Sequence, residues 1–356
     1  MRKNLSSLLK YVFFLGLGVF LVWWSLHQIP DNKWKEFIKS LSNAKYWLII
    51  PVFIILTLSH IFRSLRWKIL MRPMGYHPSF INTFFAVMIG YLANLAVPRL
   101  GEVLKCTILA KYEKVPAEKL VGTIVAERAF DVISLGIVFF IAFIAQFEIV
   151  GEYALQIFDQ LLKNKSGHFS STKVLIAVGI LLLIFIVLKV WFKQFAHLSI
   201  VIMIKKILRG IWEGVTSIRN LKQKWTFIFY TIAIWSMYIG GTWVGLQATV
   251  GTAGLSFTDA ITVLAFASIG MIITPGGIGA YAYFIAKVLE KSDIPFEIGY
   301  ANGTLQWFAQ FLIVVVIGAV CLILLPWYNK NKVGSSESGV QSRESGVRSR
   351  ESGVGS

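Results

Sequence analysis

Residues 259–286 read DAITVLAFASIGMIITPGGIGAYAYFIA, an apolar stretch interrupted by Thr274-Pro275-Gly276-Gly277-Ile278-Gly279. A second stretch, residues 79–97 (SFINTFFAVMIGYLANLAV), is bounded by Pro78 and Pro98. Proline and clustered glycine end helices, and broken backbone exposed to lipid leaves polar groups unsatisfied. How these two stretches are counted decides the fold. Around them, apolar runs near residues 10–28, 46–62, 120–146, 172–192, 225–249 and 303–327 predict full spans, against the ~20 residues needed to cross a bilayer.

Composition points to bilayer as the solvent. Apolar residues make up 56% of the chain and charged ones 15%, with a mean hydropathy of +0.67. A soluble globular domain carries about a quarter charged residues. The formal net charge is +17, but the bases sit in short loops between apolar runs, as expected beside anionic lipid. No aromatic-interleaved basic domain stands outside the membrane, so nucleic acid is not expected as a partner. Cys106 and Cys321 are far apart, which argues against a disulfide framework. Residues 1–26 have the basic start of a signal peptide, but Trp23, Trp24 and His27 occupy the region of cleavage. An uncleaved first span is the expectation.

Loop charge settles the count. Between residues 189 and 224 lie eight bases, among them Lys205, Lys206 and Arg209, against the single acid Glu213. If both odd stretches crossed, a cytoplasmic N-terminus would put this loop outside, against the positive-inside rule. If both are re-entrant, then the N-terminus, residues 63–119, residues 189–224 and the C-terminus are cytoplasmic. The acid-leaning loop 147–171 and the nearly uncharged 250–258 then lie outside. Only residues 30–45, outside in either arrangement, carry unexpected lysines (Lys33, Lys35, Lys39 and Lys45). The expected fold is therefore an all-α polytopic membrane protein of six spans and two re-entrant or broken segments, with both termini inside an inner membrane. Broken segments in corresponding places of two halves suggest an inverted repeat with a transport site between.

The membrane domain is expected over residues 1–327. Residues 195–222 space apolar residues as a helix with bases between, a surface helix or a regulatory element. The tail repeats ESGVQSR, ESGVRSR and ESGVGS over residues 337–356, and residues 328–356 are expected to be disordered.

Charges within apolar segments mark candidate sites. Glu127, Arg128 and Asp131 lie inside one span at helical spacing. They read either as an ion-pair network tying helices together or as a cavity where Arg128 meets an anionic headgroup. Arg63, Arg66 and Trp67 close the second span. The arginine fork suits phosphate oxygens, and the alternative is ordinary snorkelling with Trp67 in the aromatic belt. Asn94, Pro98, Arg99, Gly101, Glu102 and Lys105 form one re-entrant tip and its exit, while Pro275, Gly276, Gly277 and Gly279 form the other. The five histidines are scattered without metal-ligand spacing, and no nucleophile elbow or nucleotide loop is present. Neither metal nor other cofactor is expected.

These motifs resemble the flippase-like family named for the transmembrane region of lysylphosphatidylglycerol synthase. The matching stretches are R-x-x-R-W at Arg63–Trp67, N-x-x-x-P-R-x-G-E at Asn94–Glu102, YEKVPAEKLVGTIVAERAFD at Tyr112–Asp131 and PGGIG at Pro275–Gly279. The likeness covers roughly residues 8–327. It implies an inner-membrane protein with broken helices that moves or admits lipids such as aminoacylated phosphatidylglycerol or polyprenyl-linked material. Two departures stand out. Only the low-complexity tail follows the membrane region, so synthase activity is not carried over. Where many relatives place Arg-Glu just after the glycine motif, this chain has Tyr281 and Ala282.

The expected function is that of a lipid flippase or lipid-binding transporter, with membrane lipids as partners. Arg63, Arg66, Arg99 and Arg128 would contact the headgroup. Glu102, Lys105, Glu127 and Asp131 would form the charge network. The alternatives are a membrane-embedded lipid-modifying transferase and a scaffold for an envelope enzyme. No nucleophile–base pair favours the transferase.

Overall fold

A computed structural model describes residues 16–17, 19–97, 99–145 and 221–330. Every regular element among them is helical. The chain divides into two compact units, residues 1–124 with 221–356, and residues 125–220.

A helical stretch over residues 19–27 precedes nine α-helices in the described residues. These are α1 (Trp34–Ser42), α2 (Ile49–Met71), α3 (Phe80–Ala96), α4 (Leu100–Glu113), α5 (Ala117–Ala145), α6 (Lys224–Leu246), α7 (Phe257–Ile273), α8 (Ala280–Leu289) and α9 (Phe296–Tyr328). Among the described residues, four segments are long and apolar enough to cross a membrane: Tyr46–Met74, Ala117–Ala145, Lys224–Leu246 and Phe296–Tyr328. They correspond to four of the six expected spans. The first expected span is described only from residue 16, and 172–192 lies outside the described residues, as do most of 195–222 and the 337–356 repeat.

Local sequence explains where the helices start and stop. Ser79 caps α3 by accepting the Asn82 backbone N–H at 3.2 Å. Ser256 and Asp259 make a capping box on α7. Pro295 opens α9, and Gly75, at φ 82°, ends the turn after α2. At ~1.5 Å per residue, the 23 residues of α2 reach ~35 Å, whereas the 10 residues of α8 reach only ~15 Å.

Both odd stretches are broken helical hairpins, α3 with α4 and α7 with α8. Polar contacts within the first unit fix where their ends lie. At one end, the Lys45 N–H donates to the Ala248 carbonyl at 2.7 Å, and Phe37 of α1 lies 6.1 Å from the Tyr300 ring of α9. Leu255 and Leu289, the two ends of the second hairpin, join this end through one apolar cluster with Leu246. At the other end, Arg72 hydrogen-bonds Gln223, and Glu113 accepts from Ser79 at 2.7 Å and from Asn82 at 2.5 Å. Asn82 and Asn329 exchange side-chain hydrogen bonds of 2.9 and 2.8 Å there. The first hairpin thus starts and finishes at the Arg72 end, and the second at the Lys45 end. Helix α2 runs towards the Arg72 end, α6 runs back, and α9 runs towards it again.

Burial is inverted relative to a soluble protein. Ile54, Phe140 and Ile323 stand exposed on long helices, while Arg66, Asn302 and Gln306 are buried. Apolar surface outside and polar groups inside is the arrangement a bilayer selects. The protein is a multi-pass membrane protein. The unexpected lysines of residues 30–45 have a partial local account: Lys33 lies 2.8 Å from Glu36 and 3.7 Å from Glu297.

Candidate headgroup site between the broken hairpins

The tips of the hairpins meet. Gly276, at φ 61°, lies against Leu95, so that a Cβ placed there would come within 3.1 Å of the Leu95 Cδ2. Each tip is held differently. In the first, Asn94 Oδ1 accepts the Gly101 N–H at 2.8 Å, closing the turn from α3 into α4. Gly101 packs so tightly on the Gly90 carbonyl and on Asn94 that no side chain fits. Arg99, exposed, enters α4 at φ 71°, a left-handed conformation that costs a residue with a Cβ about 1–2 kcal/mol. Pro98 lies outside the described residues.

In the second tip, Gly276, Gly277 and Gly279 all have positive φ, between 61° and 74°. Pro275 is half-buried, and Gly277 and Gly279 are buried. Helix α9 holds this tip from outside: Trp307 Nε1 donates to the Gly276 carbonyl at 2.7 Å. One turn on, Gln310 Nε2 donates to the Tyr281 hydroxyl at 2.7 Å. Tyr281 stands where the resemblance leads one to expect a charged residue, and a neutral hydrogen bond occupies the place instead.

Arg63 and Arg66 sit well inside α2, which continues past Trp67 to Met71. Arg63 is 5% exposed, Arg66 is 0% exposed, and Trp67 is fully buried. Both arginines are thus enclosed by helix packing and do not stand at the end of α2, which runs on to Met71. Arg63 Nη2 donates to the Tyr238 hydroxyl at 3.0 Å and Arg66 Nη1 to Thr231 Oγ1 at 3.3 Å, both on α6. The Arg66 guanidinium also lies 5.6 Å from the Phe227 ring centre. Lys105, 5% exposed, places its ammonium 4.5 Å from the Trp67 ring centre, and Trp67 Nε1 donates to Thr123 at 2.9 Å. Glu102 is half-buried in the first turn of α4. Arg63, Arg66 and Lys105 therefore bring positive charge into the helix packing around the first hairpin. Burial strengthens the field such charges exert.

In the second unit, Glu127 is 1% exposed, Arg128 is exposed and Asp131 is half-buried. Adjacent residues point ~100° apart around a helix, so Glu127 and Arg128 project to different sides of α5. Among the described residues no three His, Cys, Asp or Glu side chains gather to hold a metal ion.

Several residues in this arrangement were not singled out from the sequence: Tyr238, Thr231, Trp307 and Gln310. One signal was available. Asn302, Gln306 and Gln310 recur every fourth residue within the most apolar span, a polar stripe on one helix face. Asn302 donates to the Gly245 carbonyl at 3.0 Å, Gln306 donates to Asn302 Oδ1 at 2.7 Å, and Gln310 reaches Tyr281.

Comparison with known proteins agrees with this architecture. The family described as the lysylphosphatidylglycerol synthase TM region matches residues 8–318. A UPF0104 membrane protein of Methanocaldococcus jannaschii is 24% identical over 341 residues, covering 90% of this chain and 95% of the relative. No solved structure matches the chain. The match spans both hairpins and all four long helices as far as residue 318, and on that extent the chain belongs to the lysylphosphatidylglycerol synthase TM region family.

Proposed function

We propose that this protein is a lipid flippase-like transporter, or a lipid-binding protein, that handles anionic or polyprenyl-type lipids without covalent chemistry of its own. The observation that carries the reading is the meeting of two broken hairpins, entered from opposite ends, in a protein that also buries Arg63 and Arg66 between α2 and α6. Broken helices at membrane depth are tolerated where protein or a cavity covers them, and in transporters they build the substrate site. The order long helix, hairpin, long helix occurs twice, as α2 to α5 and as α6 to α9. Helices α2 and α6 run in opposite directions, as an inverted repeat requires. In this reading the hairpins are re-entrant, six spans cross an inner membrane, and the Arg72 end faces the cytoplasm with both termini. The adjoining bases Arg72, Lys114, Lys222 and Lys224 support that orientation. Buried arginines supply the bidentate fork that phosphate headgroups favour.

The test is reconstitution into liposomes with a fluorescent phosphatidylglycerol, its transbilayer movement followed by dithionite quenching. Wild type moves the lipid. Arg63→Lys and Arg66→Lys, folded and inserted, move it several-fold more slowly, because an ammonium lacks the fork. No protein-dependent movement, together with no anionic lipid retained through purification, overturns the reading.

A further inference from the structure

Helix α2 carries His60 and Arg63 one turn apart. Facing them, α6 carries Thr231, Trp235 and Tyr238 at i, i+4 and i+7, a single stripe. Because Tyr238 meets Arg63 and Thr231 meets Arg66, Trp235 stands between those two contacts along α6. Its ring packs edge-on against Tyr238, with centres 5.8 Å apart. From α3, the Tyr91 ring lies 5.0 Å from the His60 ring and 5.9 Å from the Arg63 guanidinium.

Two ring nitrogens here are buried and meet no hydrogen-bond partner: Nδ1 of His60, a residue only 9% exposed, and Nε1 of Trp235. Buried polar groups without partners are uncommon in native proteins and unfavourable in the empty protein. An indole N–H can only donate. An imidazole with its hydrogen on Nδ1 donates there, and a tyrosine hydroxyl that accepts from an arginine retains its own hydrogen to give. His60 and Arg63 of α2 and Trp235 and Tyr238 of α6 therefore carry donors along one stretch of two packed helices, beside Tyr91 of α3. A tetrahedral oxyanion offers acceptors out of a single plane, whereas those of a carboxylate lie in one plane.

We propose that His60, Trp235 and Tyr238 join Arg63 in an oxyanion site between α2, α3 and α6 that takes a phosphate ester. The assignment of that phosphate to a lipid headgroup rests on the transport reading above, whereas the site itself does not. The two ring nitrogens complete their hydrogen bonding only when the ligand is present. Their removal thus weakens binding without loosening the empty protein, the opposite of what a structural hydrogen bond shows.

The full-length protein is tested in phosphatidylcholine nanodiscs, as wild type, His60→Phe and Trp235→Phe. Melting temperature is read alone and against dihexanoyl phosphatidylglycerol or inorganic phosphate. The expected result is a ligand-free melting temperature in His60→Phe equal to or above that of wild type. Affinity for phosphatidylglycerol falls about tenfold in each variant, the size of one lost charge-assisted hydrogen bond. His60→Phe preserves ring volume, so a lower ligand-free melting temperature in that variant marks the ring as structural and overturns the proposal. Wild-type affinity for phosphatidylglycerol in both variants overturns it while leaving the transport reading intact. Binding of inorganic phosphate but not of phosphatidylglycerol, with the same loss in the variants, upholds the oxyanion site and removes its lipid source. Binding of neither probe by wild type overturns the oxyanion site, and the transport reading falls only if the liposome assay also shows no movement.

Discussion

The two hairpins reach a similar shape by different means. The first closes on itself: Asn94 bonds the Gly101 N–H, backbone meets backbone at Gly90 and Gly101, and Arg99 takes a left-handed conformation to make the turn. The second has three glycines at positive φ, packs its own two helices backbone to backbone where Gly270 meets Tyr281, and takes a bond from outside, from Trp307 to the Gly276 carbonyl. The first carries Glu102 and Lys105 beyond its tip, whereas the second carries no charged residue from 260 to 286. The charged side chains thus belong to the first hairpin, whereas the second depends on glycine conformation and on a bond from α9 at its tip.

The largest expected effect separates the tips by a single methyl group. Gly101→Ala places a Cβ into the Gly90 carbonyl and the Asn94 side chain, where the backbone must give way. A loss of about 3 kcal/mol or more in detergent unfolding is expected, at the upper range of overpacking. Gly276→Ala meets only the mobile end of Leu95 and bears about 1–2 kcal/mol of left-handed strain. Equal losses in the two variants would erase the distinction.

Next in size is Asn94→Leu, which leaves the Gly101 N–H without its acceptor. It should destabilise by about 1–3 kcal/mol and raise amide exchange at residues 99–102 while leaving residues 274–279 unchanged. Exchange rising at both tips would show that the first is not self-contained. The converse variant, Trp307→Phe, removes one donor from the second tip. A loss of about 1 kcal/mol is expected, with faster exchange at residues 276–280 and none at the first tip.

The smallest effect lies at the bases of the hairpins. Glu113, with Ser79, Asn82 and Asn329, clamps the first base through partly buried hydrogen bonds. Near the second base, the half-buried Lys33 lies beside Glu36 and Glu297. Its hydrogen bond holds the Glu36 carboxyl below the usual carboxylate range, and the same bond raises Lys33 above the usual lysine value. The depressed carboxyl contributes stability above its ordinary pKa and loses it as pH falls through the folded value. The raised ammonium contributes below its ordinary pKa and loses it as pH rises through the folded value. Melting curves of wild type and Glu36→Gln should therefore differ slightly near neutrality, converge at both pH extremes, and lie closer together at high salt. A difference that persists in acid would mean that Glu36 acts through packing rather than charge.

Some of this was legible in the sequence, for physical reasons that are local. Hydropathy over ~20 residues identified the solvent, and Pro275 with Gly276, Gly277 and Gly279 located a break, because backbone conformation depends on the residue that bears it. Loop charge led to the expectation of two re-entrant segments, and the structure shows each as a broken helical hairpin whose two ends lie at one end of the first unit. Asn94 needed a partner within an apolar helix, and Gly101 provided it seven residues later. Partners far apart in the chain were not legible. Sequence placed Arg63 and Arg66 at the edge of a span because the apolar run stops there. Tertiary structure carried α2 on to Met71 and buried both arginines, since Tyr238 and Thr231, 175 and 165 residues away, receive their hydrogen bonds. Sequence by itself determined the membrane class, the four long apolar helices of the described residues and the two breaks. Only the tertiary structure decided that the breaks meet at their tips and that Trp307 holds one of them, because hydrogen bonds and close approach depend on which distant residues the packing brings within ~3 Å.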